Sequence, residues 1–158
     1  MDIMNFSEIE AEFIQRVHSM VWCNVATVDR QQRPRSRLLH PLWEGMTGWI
    51  CTHRNSFKSQ HLAQNPYVSL AYIMDIHKPV YVDCTASWIE DLDHKRRLWD
   101  LFKNTPAPLG FDPAIDFVEP AHPNFGLLKL VPWRIALVSF PAVSHAEGQR
   151  IWRRPENG

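Results

Sequence analysis

Residues Arg33–Asn65 read RPRSRLLHPLWEGMTGWICTHRNSFKSQHLAQN, and this stretch decides the fold. Arg35 and Arg37 stand two apart on a strand, so they share one face of it. Glu44-Gly45-Met46-Thr47-Gly48 is a turn, and Trp49-Ile50-Cys51-Thr52 alternates like a further strand. Ser56-Phe57-Lys58 then opens a helix that Asn65-Pro66 stops. Strand, turn, strand and helix start follow one another, with cationic and hydroxyl side chains at the junctions. A helix start offers backbone N–H groups and a partial positive charge. With Ser, Thr, Lys and Arg added, the pattern is that of a site for a phosphate monoester.

Outward from this block, Ser7 and Glu10 have capping-box spacing, and Phe13, Ile14, Val17 and Met20 recur at helical intervals. The pattern predicts a helix over Ser7–His18. Trp22–Val28 alternates as a strand, Asp29–Gln32 is a turn, and the next strand is predicted over Arg35–Trp43. Strands are also predicted over Tyr67–Ile73 and Val80–Ile89. A helix from Asp91 places Leu98, Trp99 and Phe102 on one face. Thr105–Pro123 holds five of the twelve prolines and reads as an irregular excursion across one mouth of the site. Two last strands, Phe125–Val131 and Trp133–Phe140, are expected, with Pro132 as a bulge or bend between them. Gln149–Trp152 is a candidate edge strand.

Mostly adjacent short strands with flanking helices predict a mainly β protein, a six- to seven-stranded antiparallel split barrel. The expected domain covers residues 1–140, with a tail over 141–158. The 158 residues suffice for one core. Zero net charge argues against nucleic-acid binding by bulk electrostatics. No apolar run is long enough for a bilayer, and the acidic, amphipathic start is not a signal peptide, so a cytoplasmic location without membrane contact is expected. Cys23, Cys51 and Cys84 are odd in number and far apart, and read as reduced buried thiols. The histidines lack ligand spacing, so no metal site is expected.

The order of the motifs resembles the pyridoxamine 5'-phosphate oxidase-like FMN-binding split barrels, in their general-stress-protein branch. The motifs are ATVDRQQRPRSRLL (Ala26–Leu39), ICTHRNSFKSQHLAQNPYVSLAY (Ile50–Tyr72), Asp93 with Leu98-Trp99, LGFDP (Leu109–Pro113) and VPW (Val131–Trp133). The resemblance runs from about Phe6 to about Phe140. It implies FMN as cofactor, a homodimer with sites at the interface, and an oxidoreductase related to but distinct from pyridoxamine 5'-phosphate oxidase, with a small-molecule redox partner. It places Arg35, Ser36, Arg37 and Leu38 beside the flavin. It places Cys51 and Thr52 at the strand end that meets the ring, Ser56 and Lys58 on the phosphate, and Trp133 near the ring from across the interface. Catalytic residues are not assigned.

The chain also departs from that pattern. Phe57 stands where an Arg is common, leaving the phosphate to Lys58 and to Arg35, Arg37 or Arg54. Cys84 replaces a usual Gly. The C-terminus offers His145, Arg150, Arg153 and Arg154 at spacings unlike the oxidases' substrate motif. A flavin carrier, a redox stress sensor, or a barrel that has turned to deazaflavin or haem are the alternatives.

Overall fold

The computed structural model describes residues 1–141 and 148–156. His145 lies outside the described residues. The strands are β1 (Asp2–Ile3), β2 (Cys23–Val28), β3 (Pro34–Leu39), β4 (Leu42–Glu44), β5 (Thr47–His53), β6 (Tyr67–Tyr72), β7 (Val80–Ile89), β8 (Phe125–Val138) and β9 (Gln149–Arg153). The helices are α1 (Glu10–Met20), α2 (Phe57–Gln64), α3 (Leu92–Asn104) and the short α4 (Ala114–Phe117).

All nine strands join one mixed sheet. Its path runs β1-β9-β8-β7-β6-β2-β3, while β5 pairs with both β4 and β8. Every pairing is antiparallel except β1 with β9. Nine strands with one parallel pair replace the expected six or seven antiparallel ones. The extra pieces are the two-residue β1, which docks on the candidate edge strand at 149–153, and β4.

β4 arises because the strand expected over Arg35–Trp43 is two strands, broken at His40-Pro41. Proline brings no backbone N–H to a ladder. The two strands expected around Pro132 are instead one, β8. There the register against β7 shifts between Asp83, opposite Arg134, and Cys84, opposite Pro132. Trp133 is the residue looped out, a bulge at the position where proline cannot donate. At the N-terminus a 3-10 turn over Phe6–Glu8 precedes α1, and the capping box is Asn5 with Glu8 rather than Ser7 with Glu10.

Two apolar clusters hold the sheet. Phe13 and Val17 of α1 pack into the larger one with Val25, Leu70, Tyr72, Val82 and Ile135. The smaller one joins Leu98, Trp99 and Phe102 of α3 to Phe117 of α4 and to Phe125 and Leu127 of β8. The α3 stripe is therefore core, as its spacing predicts. Trp43, Trp49, Trp99 and Trp152 are also buried, while Trp22 and Trp133 are exposed. The 105–123 segment is pinned by Phe111 against Phe102 and by Phe117 against both Phe125 and His53.

Candidate functional site

Helix α2 starts where β5 ends. His53 closes the strand, Arg54-Asn55-Ser56 turn the chain, and Phe57 opens the helix. Ser56 sits at the N-cap in extended backbone, yet its side chain makes no cap bond. Its hydroxyl donates to the His53 carbonyl at 3.0 Å and accepts from Lys58 Nζ at 3.2 Å. The amides of Phe57 and Lys58 lie in the first turn, where the helix supplies no partner.

The strand β3 brings Arg37 to the same place. Val25 lies opposite Arg37 in the β2–β3 register, and Thr27 opposite Arg35. Arg37 Nη1 donates to Thr27 Oγ1 at 2.8 Å and to the Val25 carbonyl at 3.2 Å. The Thr27 hydroxyl is also 2.8 Å from His61 Nδ1, on α2. One cluster thus joins β2, β3 and α2.

Around its two cations, Arg37 and Lys58, the electrostatics are one-sided. Burial pulls the Lys58 ammonium below the usual lysine value, and the Arg37 guanidinium pulls it further. Burial and Arg35 act on Arg37 in the same direction. Among the described residues, neither Arg37 nor Lys58 has a carboxylate partner. Half-buried cations without counter-ions are costly, and an incoming anion would relieve that cost. Arg54, in contrast, is engaged elsewhere: Glu90 accepts from its Nε at 3.1 Å, and it stacks 4.7 Å over Trp88.

The expected residues divide into groups. Lys58 bonds Ser56, Arg37 is close enough to act on Lys58, and Arg35 is close enough to act on Arg37. Ser36 and Leu38 face the other way, as strand alternation requires. Leu38, 67% exposed, lines an apolar groove of about 490 Å³ with Trp22, Ala71, Ile73 and Met74. Thr52 is buried near the end of β5, opposite Gly126, and Cys51 packs on the α3–β8 core. Burial pushes the Cys51 thiol well above its ordinary range, which leaves it unreactive. Trp133 stands at the β8 bulge, 42% exposed.

A second, larger groove of about 590 Å³ runs along Arg54–Phe57, Ser59 and Gln60. Lys58 and Arg37 are not among its lining residues. Volume alone does not mark an anion site, whereas unpaired cations beside a helix start do.

Thr27 and His61 escape the sequence reading. A buried strand threonine looks like any other. His61 does carry a signal, because it follows Lys58 by three residues and so falls on the same helix face.

The sequence model described as pyridoxamine 5'-phosphate oxidase matches residues 9–139. No curated protein matches the chain. Many solved structures share the fold, among them three at low identity. A Clostridium acetobutylicum protein related to general stress protein 26 is 15% identical with a TM-score of 0.72, over 92% of this chain and 94% of that one. General stress protein 26 from Bacillus anthracis str. Sterne is 21% identical with a TM-score of 0.61, over 80% and 93%. A pyridoxamine 5'-phosphate oxidase-related, FMN-binding protein from Nostoc punctiforme is 16% identical with a TM-score of 0.65, over 98% of each chain. With most of its length matched by that one sequence model, the chain belongs to the pyridoxamine 5'-phosphate oxidase family.

Proposed function

We propose that the chain binds FMN and works as a flavin-dependent oxidoreductase, with the cofactor phosphate held by Arg37, Lys58, Ser56 and the first amides of α2. The observation that carries this reading is the Arg37–Lys58 pair, two cations converging without a carboxylate beside a helix start. A phosphomonoester near neutral pH bears about two negative charges and three acceptor oxygens. A guanidinium fork, an ammonium, a hydroxyl and open backbone amides match that donor requirement. The donor set therefore fits the group that the family implies. Arg35 adds long-range attraction, and Thr52 and Cys51 form the buried strand end next to the phosphate turn.

Bound FMN would supply hydride chemistry at its N5 atom. The chain's residues fix the phosphate, orient the attached ring and shape the space over it. Ser36, Leu38 and Trp133 face the outside of the sheet, where a second copy of the chain would bring them to the ring. The reading thus includes a homodimer, with the apolar groove at Trp22, Leu38, Ile73 and Met74 as part of its contact surface.

The test is direct. Protein titrated with FMN should take up one equivalent per chain, show a bound-flavin spectrum, and release FMN on denaturation. Stopped-flow mixing with NADH or NADPH should then bleach the bound flavin faster than free FMN. Uptake without bleaching by either donor would reduce the reading to a flavin binder. No uptake at all would reject it.

A further inference from the structure

His61 has no place in the binding reading above, yet it touches the residue that touches Arg37. It is 8% exposed and lines a small surface pocket with Asp29, Arg33, Arg35 and Gln60. We propose that His61 is a positioning residue: acting through the Thr27 hydroxyl, it fixes the direction in which the Arg37 guanidinium is presented to the phosphate. The proposal rests on the reading that Arg37 holds that phosphate.

A guanidinium can only donate, so Thr27 Oγ1 accepts from Arg37 Nη1 at 2.8 Å. The hydroxyl proton then needs an acceptor. Thr27 is buried, at 2% exposed, and His61 Nδ1 stands 2.8 Å away. If Nδ1 carried a proton, Thr27 would accept twice and its own buried proton would be stranded, which is costly. The consistent arrangement is a chain: Arg37 N–H to Thr27 oxygen, Thr27 O–H to His61 Nδ1. It assigns the neutral His61 tautomer with its proton on Nε2.

The surrounding charges agree with a neutral ring. Arg35 and Arg37 face it from β3 and Lys58 precedes it by one turn on α2, while Asp29 from the end of β2 acts in the opposite sense. Burial and the two arginines together hold His61 below the ordinary histidine value. With Nδ1 a fixed acceptor, the hydroxyl cannot rotate, and the lone pair that receives Arg37 keeps one direction. Beyond its bonds to Thr27 and to the Val25 carbonyl the guanidinium has three further N–H bonds, and this anchoring sets where they aim.

The test measures FMN and riboflavin affinity for the wild type and for H61A, H61N, T27V, T27S, R37A and H61A/R37A, with thermal melting for each. Riboflavin lacks the phosphate, so it isolates the phosphate contact. The expected result is a loss of roughly tenfold in FMN affinity for H61A and T27V, the size of one lost hydrogen bond to a charged group. Riboflavin affinity should stay level. H61N, whose amide oxygen can replace Nδ1 as acceptor, and T27S should recover most of the loss, and H61A should cost nothing further on the R37A background. If H61A does not fold, the T27V and T27S pair reads the same link. Equal losses for FMN and riboflavin, or multiplying losses in H61A/R37A, would overturn the proposal while leaving the phosphate site in place. An R37A protein with unchanged FMN affinity would overturn the site as well. Nitrogen chemical shifts of His61 provide an independent check: a protonated Nδ1 at neutral pH contradicts the chain of bonds.

Discussion

Arg37 on β3 depresses the pKa of Lys58 on α2, after burial itself, and no carboxylate among the described residues answers either cation. The relationship joins two segments that the sequence separates by the whole β4–β5 hairpin. It makes the start of α2 a place where an anion gains more than it would at an ordinary helix end.

Stability should fall as pH drops through the histidine range. Burial holds His18 and His40 below the ordinary value of 6.5, with the Leu109 carbonyl opposing in part at His40, and His61 is lowered too. In the window between the folded values and 6.5, the unfolded chain binds more protons, so protonation favours unfolding there. The penalty is absent above 6.5 and reaches its plateau below the folded values. A second loss begins below 4.5. Burial opposes ionisation of Glu12 but Arg150 and Arg16 outweigh it, and Arg97 lowers Glu44. Urea midpoints between pH 7.5 and pH 4 should decline in that order. A flat profile down to pH 5 would show that the imidazoles are not buried in this way.

Tyr72→Phe should destabilise the chain by about 1–3 kcal/mol. Trp43 Nε1 donates to the fully buried Tyr72 hydroxyl at 3.0 Å, and removing that oxygen leaves a buried indole N–H without its acceptor. Chemical denaturation measures the change, and a loss under about 0.3 kcal/mol would mean that the indole finds another partner.

Gly126→Ala should cost stability and flavin together. An added Cβ would stand 2.5 Å from the Trp88 ring and 2.7 Å from the Thr52 carbonyl. Strand β5 or the Trp88 ring must move, and overpacking of this kind costs about 1–3 kcal/mol. Because Thr52 precedes the turn into α2, where the phosphate is proposed to bind, FMN affinity should fall in the same variant. An unchanged melting temperature would contradict the close packing of β5 on β8.

Ile73→Asp should shift the protein toward monomer in sedimentation velocity. Ile73 is 53% exposed beside Leu38, Trp22 and Met74, and a carboxylate there would be desolvated in any interface that covers the groove. A wild-type protein that sediments as a monomer at high concentration would remove the dimer from the account.

Elements with strong periodicity were readable from the sequence. α2 and β7 fall where Phe57–Gln64 and Val80–Ile89 predict, because each is bounded by a residue with a local effect, Pro66 after the helix and Pro79 before the strand. The split of β3 from β4 is not legible, since Leu39-His40-Pro41-Leu42 looks continuous by polarity alternation alone. A bulge or bend is expected at Pro132 and the residue looped out is its neighbour Trp133, because the missing proline N–H is local whereas the register shift belongs to the pair with β7. β1 is two residues long and is defined by its partner, so nothing in its own sequence marks it. At the candidate site, the sharing of one strand face by Arg35 and Arg37 and the placing of Ser56 and Lys58 at a helix start are legible because strand alternation and helix starts are local rules. The commitment of Arg54 to Glu90 and Trp88, and the Thr27–His61 link, depend on residues far apart in the chain.

The most direct measurement is calorimetric titration of FMN and riboflavin into the wild-type protein and into Lys58→Met. The account predicts that wild type binds FMN far more tightly than riboflavin. Lys58→Met should lose about 1.5–3 kcal/mol of FMN binding, a charge-assisted hydrogen bond, with little change for riboflavin. Equal affinity of the wild type for FMN and riboflavin, or an FMN affinity that Lys58→Met leaves untouched, would contradict it.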